Sequence, residues 1–430
     1  MGSSITLTPG LLQTAKIVGA MSPRPFLAGT LVIELGEVYS APFAGKLLAD
    51  LGADVIKIES LPKGDPARSM PPFARSPSPG AGPRDTSLMF AWLNANKRSV
   101  ALNLRTITGR KLLKGLLAKA DIFLHNKQPK DLEALGLTYE ELHAQFPRLV
   151  VASVTPYGQT GPYRNRKAYP STALHMTGAS WYTPQHVDAL DEPPLSLPGR
   201  PAAVMGGLAV AMGALTAIVS RKVTGQGSHV DVSETESVMP TQSTPVNRFS
   251  FDGMVEPRNE RIYGIGPFDF FRVKDGWTSI FLVQDAHWNR LVKLMGDPDW
   301  SKDPIFKDRR TRAQYKEDVT ALMQPWLLEQ TNEDFYVKAQ AADLPIGPAR
   351  TIDKTLTDPQ FVSRRIFRKA RHPATGDMAY LRPPYLTPSL PWQTPAPSPR
   401  LGQHTSAVLM STLGLSRRQL TTLAAQGVIA

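Results

Sequence analysis

Between residues 31 and 58 the chain reads strand, helix, strand, and that order constrains the fold more than any other feature. Leu31 to Leu35 is an apolar run of strand length, Ala44 to Leu51 shows helical spacing, and Ala53 to Ile58 returns to strand character. Strands joined this way run parallel, because only a crossover returns the chain to the same end of the sheet. The crossover is right-handed, since a right-twisted strand and a right-handed helix pack back onto the sheet only that way. The pattern repeats. Ser99–Leu104 is β-like, Thr108–Ala120 helical, Asp121–Leu124 and Leu149–Val154 β-like, and Ser228–Val232 a short strand. The spacing predicts an α/β fold with a doubly wound, Rossmann-like parallel sheet, and ligands at the carboxyl ends of its strands.

Around that sheet the chain divides by composition. Residues 1–30 read as a poorly patterned leader, and Leu61–Pro83, rich in Pro, Ser, Gly and Arg, as a long surface loop. Asp188–Pro201 is a Pro-rich connector. Phe268–Lys274 and Trp277–Leu282 flank Asp275-Gly276, a hairpin signal. Helical patterns follow at Ala286–Met295, Tyr315–Gln324 and Asn332–Ala342. Seven prolines in the seventeen residues 383–399 make an extended strap, and the chain ends with helical spacing at Thr405–Leu413 and Arg417–Gln426. The expected organisation is a large domain over 1–235, a linker at 236–260, a small α+β domain at 261–345, a return linker at 346–382, and a strap and helices at 383–430 that complete the large domain.

Composition excludes several classes. The chain has no Cys, so disulfides, thiol nucleophiles and Cys-ligated metal are ruled out, and a reducing cytoplasm fits. The first residues lack the basic region and apolar run of a secretory signal. Pro201 to Val219 is uncharged and apolar for nineteen residues, near the length of a membrane span. Its Ala, Gly and Met content reads instead as a closely packed buried helix. The net charge of +12 comes from scattered basic residues without interleaved aromatics. That argues against nucleic acid and for a soluble basic surface, with attraction to an anionic substrate as the functional alternative.

Six segments, in order, carry a family resemblance. They are Val32 to Glu59 with Gly64-Asp65-Pro66, Asn94-Ala-Asn-Lys-Arg-Ser99, Gly158-Gln-Thr-Gly-Pro-Tyr163, Gly199-Arg-Pro-Ala-Ala-Val-Met-Gly-Gly207 leading into Thr224-Gly-Gln-Gly227, Pro345-Ile-Gly-Pro348, and Leu401-Gly-Gln-His-Thr405. Together they resemble the family III CoA-transferases, the group of formyl-CoA transferase, carnitine CoA-transferase and α-methylacyl-CoA racemase. The resemblance implies a Rossmann-like domain closed by the C-terminal segment, a small domain, and two subunits interlocked like links of a chain. It also implies an Asp nucleophile about four residues before a Gly and about twenty before the Thr-Gly-x-Gly turn. Counting back from Thr224 puts Ala203 there, and no Asp occurs between Asp191 and Asp231. The racemase branch adds a His near the mid-chain glycine turn, where this chain has Tyr169.

In the family the Asp attacks an acyl-CoA, giving a mixed anhydride and then an aspartyl-CoA thioester. Ala203 can do neither step. Asp188, Asp191 and Glu192 lie in a polar connector and read as solvated charges. His175 reads as a satisfied core residue. The resemblance places CoA contacts at Val38, Tyr39, Ser40 and Ala41, at Leu93, Asn94, Asn96, Lys97 and Arg98, and at Asn126 and Lys127. The family's Arg after the second strand is replaced by Ser60-Leu61, removing a phosphate contact worth roughly 1.5–3 kcal/mol. Lys127 and Lys130 partly compensate. The reading is a CoA-transferase subunit that takes acyl-CoA and a carboxylic acid as substrates, has no tightly bound cofactor, and needs an Asp-bearing sister subunit. The alternatives are a non-catalytic CoA-binding scaffold and a self-sufficient enzyme with relocated chemistry.

Overall fold

Every strand expected from the βα pattern forms, and all six join one sheet. The computed structural model describes residues 24–75, 77–79, 82–183, 191–255, 258, 267–387 and 392–430. Strands β1 (Leu31–Leu35), β2 (Asp54–Ser60), β3 (Lys97–Leu102), β4 (Ile122–His125), β5 (Val150–Thr155) and β6 (His229–Ser233) are parallel, in the order β3-β2-β1-β4-β5-β6. The order reverses between β1 and β4, so their carboxyl ends diverge and open a crevice at the switch point.

Both faces of the sheet are covered, as a parallel sheet requires. Alternate residues Ile33, Ile56, Val100 and Phe123 pack one face against the Ile107–Leu117 helix and against Val408, Leu409 and Leu420 of the two C-terminal helices. Val32, Val55, Leu124 and Ala152 pack the other face against the Ser40–Asp50 and Pro201–Thr224 helices. The C-terminal segment is tied to β3 directly. Thr405 Oγ1 accepts from the Ala101 N–H at 3.0 Å, and the Asn103 N–H donates to the Val428 carbonyl at 2.8 Å.

The apolar run at 201–219 lies within a 24-residue helix, Pro201–Thr224, the one helix among the described residues long and apolar enough to cross a membrane. Its inner face is made of Ala202, Ala203, Gly206, Gly207, Val210, Ala211, Ala214 and Ala217. The small residues are required by close approach. A Cβ on Gly207 would stand 2.7 Å from the Ser40 carbonyl oxygen, and one on Gly213 would stand 2.6 Å from Val230 Cγ1.

Contacts divide the chain into two units, the first over Met1–Ser180, Ser196–Asn247 and Ile366–Ala430, the second over Trp181–Leu195 and Arg248–Arg365. The second unit holds an antiparallel sheet of β7 (Phe268–Val273), β8 (Gly276–Phe281) and β9 (Ile346–Pro348). Its core includes Trp288, Leu291, Met323, Leu327 and Phe335. The hairpin forms one residue earlier than its Asp-Gly signal suggests. Val273 pairs with Gly276, so Lys274 and Asp275 make the turn. Asp275 is taken up by the Asn332 N–H at 2.7 Å, and Gly276 lies where a Cβ would meet Asn332 Nδ2 at 2.8 Å.

Two segments expected as linkers are structured. Residues 236–260 contain the Ser243–Asp252 helix, and 346–382 contain β9 and a hairpin of β10 (Phe367–His372) and β11 (Gly376–Leu381). The His372 ring fixes that hairpin's turn by accepting from the Ala374 and Thr375 N–H groups, both at 3.2 Å. Of the strap, 383–387 and 392–399 are described. They form no helix or strand, and Ala396 and Asn96 exchange hydrogen bonds. Residues 1–23 of the leader lie outside the described residues.

Candidate active site

The carboxyl end of β1 turns sharply into the Ser40–Asp50 helix, and buried charges brace the turn from beneath. Val38 sits there at φ +63°, a conformation that a β-branched residue adopts only under constraint, at roughly 1–3 kcal/mol. The constraint comes from Asp65 in the Gly64-Asp65-Pro66 segment, whose carboxylate accepts from the Val38 N–H at 3.0 Å. Asp65 also pairs at 2.8 Å with Lys57, which donates to Glu34 at 2.9 Å and to the Gly36 carbonyl at 2.7 Å. Lys97 reaches in from β3, pairing with Glu34 at 2.7 Å and donating to the Pro42 carbonyl at 2.7 Å and to Asn94 at 2.9 Å. A neighbouring pair, Arg68 and Glu59, meets at 2.7 Å, with Ser99 donating to Glu59 at 2.6 Å.

Burial and pairing compete in this network. Burial pulls the Lys57 ammonium down, but Asp65, Glu34 and Glu59 together hold it above its ordinary range. Burial, helped by the like charge of Lys57 beside it, brings Lys97 down to about 8 against the opposing pull of Glu34. Burial raises Glu59 and Asp65, yet Arg68 and Lys57 bring each below the usual carboxylate range. These groups hold shape and stay paired. A ligand would have to break ion pairs to use them.

At the switch point Asn126 bridges the two diverging strands. Its Oδ1 accepts from the Glu37 N–H at 3.0 Å and its Nδ2 donates to the Glu37 carbonyl at 2.7 Å, while Lys127 pairs with the Glu37 carboxylate at 2.7 Å. Beneath them His125 is buried, and desolvation brings its ring down to about 3, so it is neutral. Farther along the same edge, the glycine turn after β5 borders a cavity of ≈ 290 Å³ lined by Tyr157, Tyr163, Asp231, Ser233 and Glu236. Asp231 fixes that turn by accepting from the Gln159 N–H at 2.9 and 3.0 Å.

Ala203 lies fully buried in the first turn of the long helix, with Gly206 and Gly207 one turn further along the same face. Gly207 abuts Ser40. Gly206 abuts a residue that reading the sequence overlooked: a Cβ on Gly206 would stand 3.0 Å from Glu234 Cγ. Glu234 follows β6 directly and is 4% exposed. Burial raises its pKa, opposed by a hydrogen bond with Ser40, and its Oε2 has no hydrogen-bond partner among the described residues. In the sequence it is only the acidic residue after a short strand, with no motif to mark it.

The structure thus brings Val38, Tyr39, Ser40, Ala41, Asn126, Lys127 and Ala203 to the carboxyl edge. Leu93, Asn94 and Lys97 are buried behind the turn. Asn96 and Arg98 are at the opposite, amino edge, where Asn96 donates to Asp50 at 2.8 Å and Arg98 pairs with Asp54 at the start of β2. His175 is exposed at a helix end rather than in the core, and Asp191 and Glu192 are exposed. Asp188 lies outside the described residues. Among the described residues no cluster of His, Asp and Glu could hold a metal ion.

A family model described as CoA-transferase family III matches residues 27–405. The chain is 32% identical to succinyl-CoA–D-citramalate CoA-transferase of Chloroflexus aurantiacus, over 95% of this chain and 98% of that protein. It is 31% identical to the beta subunit of succinyl-CoA–L-malate CoA-transferase of the same organism, over 94% and 98%. Among solved structures, a CAIB/BAIF family protein from Brucella suis superimposes with a TM-score of 0.80 at 28% identity, over 90% of this chain and 100% of that one.

Proposed function

The chain belongs to CoA-transferase family III, and we propose that it serves CoA transfer between an acyl-CoA and a carboxylic acid without the Asp the family uses. The observation that carries this reading is Ala203, buried at the helix position that should present the carboxylate to the carboxyl edge. Acyl-CoA enters as a substrate, and no tightly held cofactor is required. The proposed CoA contacts are Val38, Tyr39, Ser40, Ala41, Asn126 and Lys127 along that edge, with Leu93, Asn94 and Lys97 supporting them from behind. Asn96 and Arg98 brace the amino edge. The relatives' names, succinyl-CoA with citramalate or with malate, support a dicarboxylic acid on at least one side of the reaction.

The partner follows from the same gap. An Asp-bearing sister subunit would supply the missing group, and the existence of a relative named as a beta subunit supports a paired arrangement. An interlocked dimer, homo- or heteromeric, in the cytoplasm belongs to this reading. One observation favours the self-sufficient alternative: Glu234 places a buried carboxyl against the helix turn that begins at Ala203.

The decisive experiment assays steady-state transfer by the purified chain, alone and with the family member that co-purifies from the native host, identified by mass. Turnover only in the pair establishes the subunit reading. Turnover by the chain alone establishes relocated chemistry. Failure to bind CoA in either form would reduce the protein to a scaffold.

A further inference from the structure

We infer that Glu234 is the carboxylate that exchanges acyl partners in this chain, reaching from the end of β6 toward the place that Ala203 leaves without one. The inference rests on the CoA-transfer reading and names the group that performs it.

Three independent features converge on Glu234. The first is position. It is the residue after the last pairing of β6, Ser233 opposite Thr155 of β5, so it stands at the carboxyl edge where this fold binds ligands. The second is direction. Ser233 and Thr235 line the cavity beside the glycine turn and are anchored to the Pro156 carbonyl at 3.2 and 2.9 Å. Glu234, between them, instead lies against Gly206, three residues along the helix from Ala203, and engages the Ser40 hydroxyl. The third is that it is underemployed. The other carboxylates buried beside this turn, Glu34, Glu59 and Asp65, each hold a Lys or Arg. Glu234 has no such cation among the described residues, and one oxygen is unbonded. A carboxylate buried that way costs stability, a cost that a role in the reaction would offset.

The residues around it are small in the same sense. Ala203, Gly206 and Gly207 leave the helix face without side chains that would cover the carboxyl group. An Asp at 203 would instead project a second carboxylate toward it. One carboxylate at this edge suffices, and the chain carries it on the strand end rather than on the helix.

The chemistry balances without an oxidant or a net proton. The Glu234 oxygen attacks the thioester carbon, the C–S bond breaks, and CoA leaves as thiolate with a glutamyl–acyl anhydride formed. The thiolate attacks the Glu234 carbonyl carbon and expels the donor carboxylate, leaving a glutamyl-CoA thioester. The acceptor carboxylate attacks that carbon and releases thiolate. The thiolate then attacks the acceptor's acyl carbon, and Glu234 returns as carboxylate. The Ser40 hydroxyl donates to the carboxylate between turnovers and holds it in place.

The test uses the chain purified without any other family member and succinyl-CoA as the probe, followed by hydroxylamine or borohydride and peptide mass mapping. The expected result is a hydroxamate, or a reduced side chain, on the peptide carrying Glu234, with at least a tenfold loss of label in Glu234→Gln. Glu234→Gln should still bind CoA within about threefold of the natural chain, and thermal melting of the variant establishes that it folds. Glu234→Asp, which keeps the acid but withdraws it, should retain partial labelling. Label on any other carboxylate overturns the inference. CoA binding with no label anywhere also overturns it and leaves the sister-subunit reading standing, whereas loss of CoA binding by the natural chain overturns both.

Discussion

At the scale of single residues, Ala203 and Glu234 have to be considered together. Ala203→Asp is the obvious restoration, and it should fail. The new carboxylate would be buried on the face that Glu234 already approaches, and two carboxylates in one dry site cannot both ionise freely. We expect a loss of stability of about 1–3 kcal/mol, read by denaturant unfolding, and at most trace transfer activity across a panel of acyl-CoA donors. A well-positioned nucleophile needs its oxygen at roughly 3–3.5 Å from the thioester carbon. Turnover by the variant above that of the natural chain, and retained when Glu234→Gln is added, would show a pocket kept ready for Asp. Glu234→Gln should move stability the other way. Because burial raises the Glu234 pKa in the fold, the protonated form is favoured there. Its stabilising contribution is therefore present in full below the unfolded-state pKa and lost as pH rises through the folded one. The variant should melt above the natural chain at pH 7 and converge with it in acid, each 1 kcal/mol showing as roughly 1–2 °C in a unit of this size. Equal melting at both pH values would mean that the carboxyl is well solvated.

At the scale of elements, the long helix owes its place to glycines more than to its apolar character. Gly207→Ala should gain about 1 kcal/mol of helix propensity and lose more, because its Cβ would meet the Ser40 carbonyl oxygen at 2.7 Å and Phe43 Cδ1 at 2.9 Å. A net loss of about 1–2 kcal/mol is expected. Gly115→Ala, in the Ile107–Leu117 helix, meets only the tip of the Leu413 side chain at 3.2 Å and should be neutral or stabilising. Paired urea titrations separate the two. The strands and helices of the sheet were legible in the sequence because hydrophobic period and crossover length are local properties. The β10–β11 hairpin was not, since Phe367–His372 is half charged and shows no apolar alternation, although its turn carries Pro373 and Gly376, the latter at φ +80°. The site divides the same way. Ala203 could be found by counting, because it lies in a motif, and Asn126 by resemblance. Glu234 is assembled by packing across 28 residues of chain from Gly206, and nothing local marks it. Asn96 and Arg98 belonged to a recognisable motif, yet the register of β3 against β2 sends them to the amino edge and to Asp50 and Asp54.

At the scale of the whole molecule, the outer face of the long helix bears on assembly. Leu208, Met212, Val219 and Val223 are 56%, 65%, 63% and 90% exposed, and their spacing aligns them along one side. An apolar row of that length on a surface suits contact with another protein surface. A second family chain, identical or sister, is the occupant that the resemblance implies. A helix row alone covers too little area for a permanent complex. Obligate interfaces of this kind exceed about 2,000 Å², so the row would be one part of a larger contact. Two consequences can be separated by experiment. The natural chain should scatter as a dimer at micromolar concentration, and dilution should not yield a folded monomer. Met212→Lys with Val219→Lys should leave the sheet intact, since neither residue belongs to the inner face. It should shift the protein toward smaller or aggregated species in sizing chromatography, because each lysine would have to be buried without a partner at the joint. A natural chain that is a stable, folded monomer would count strongly against the linked dimer. A double variant that dimerises as tightly as the natural chain would leave the dimer in place but move its interface to another face of the molecule.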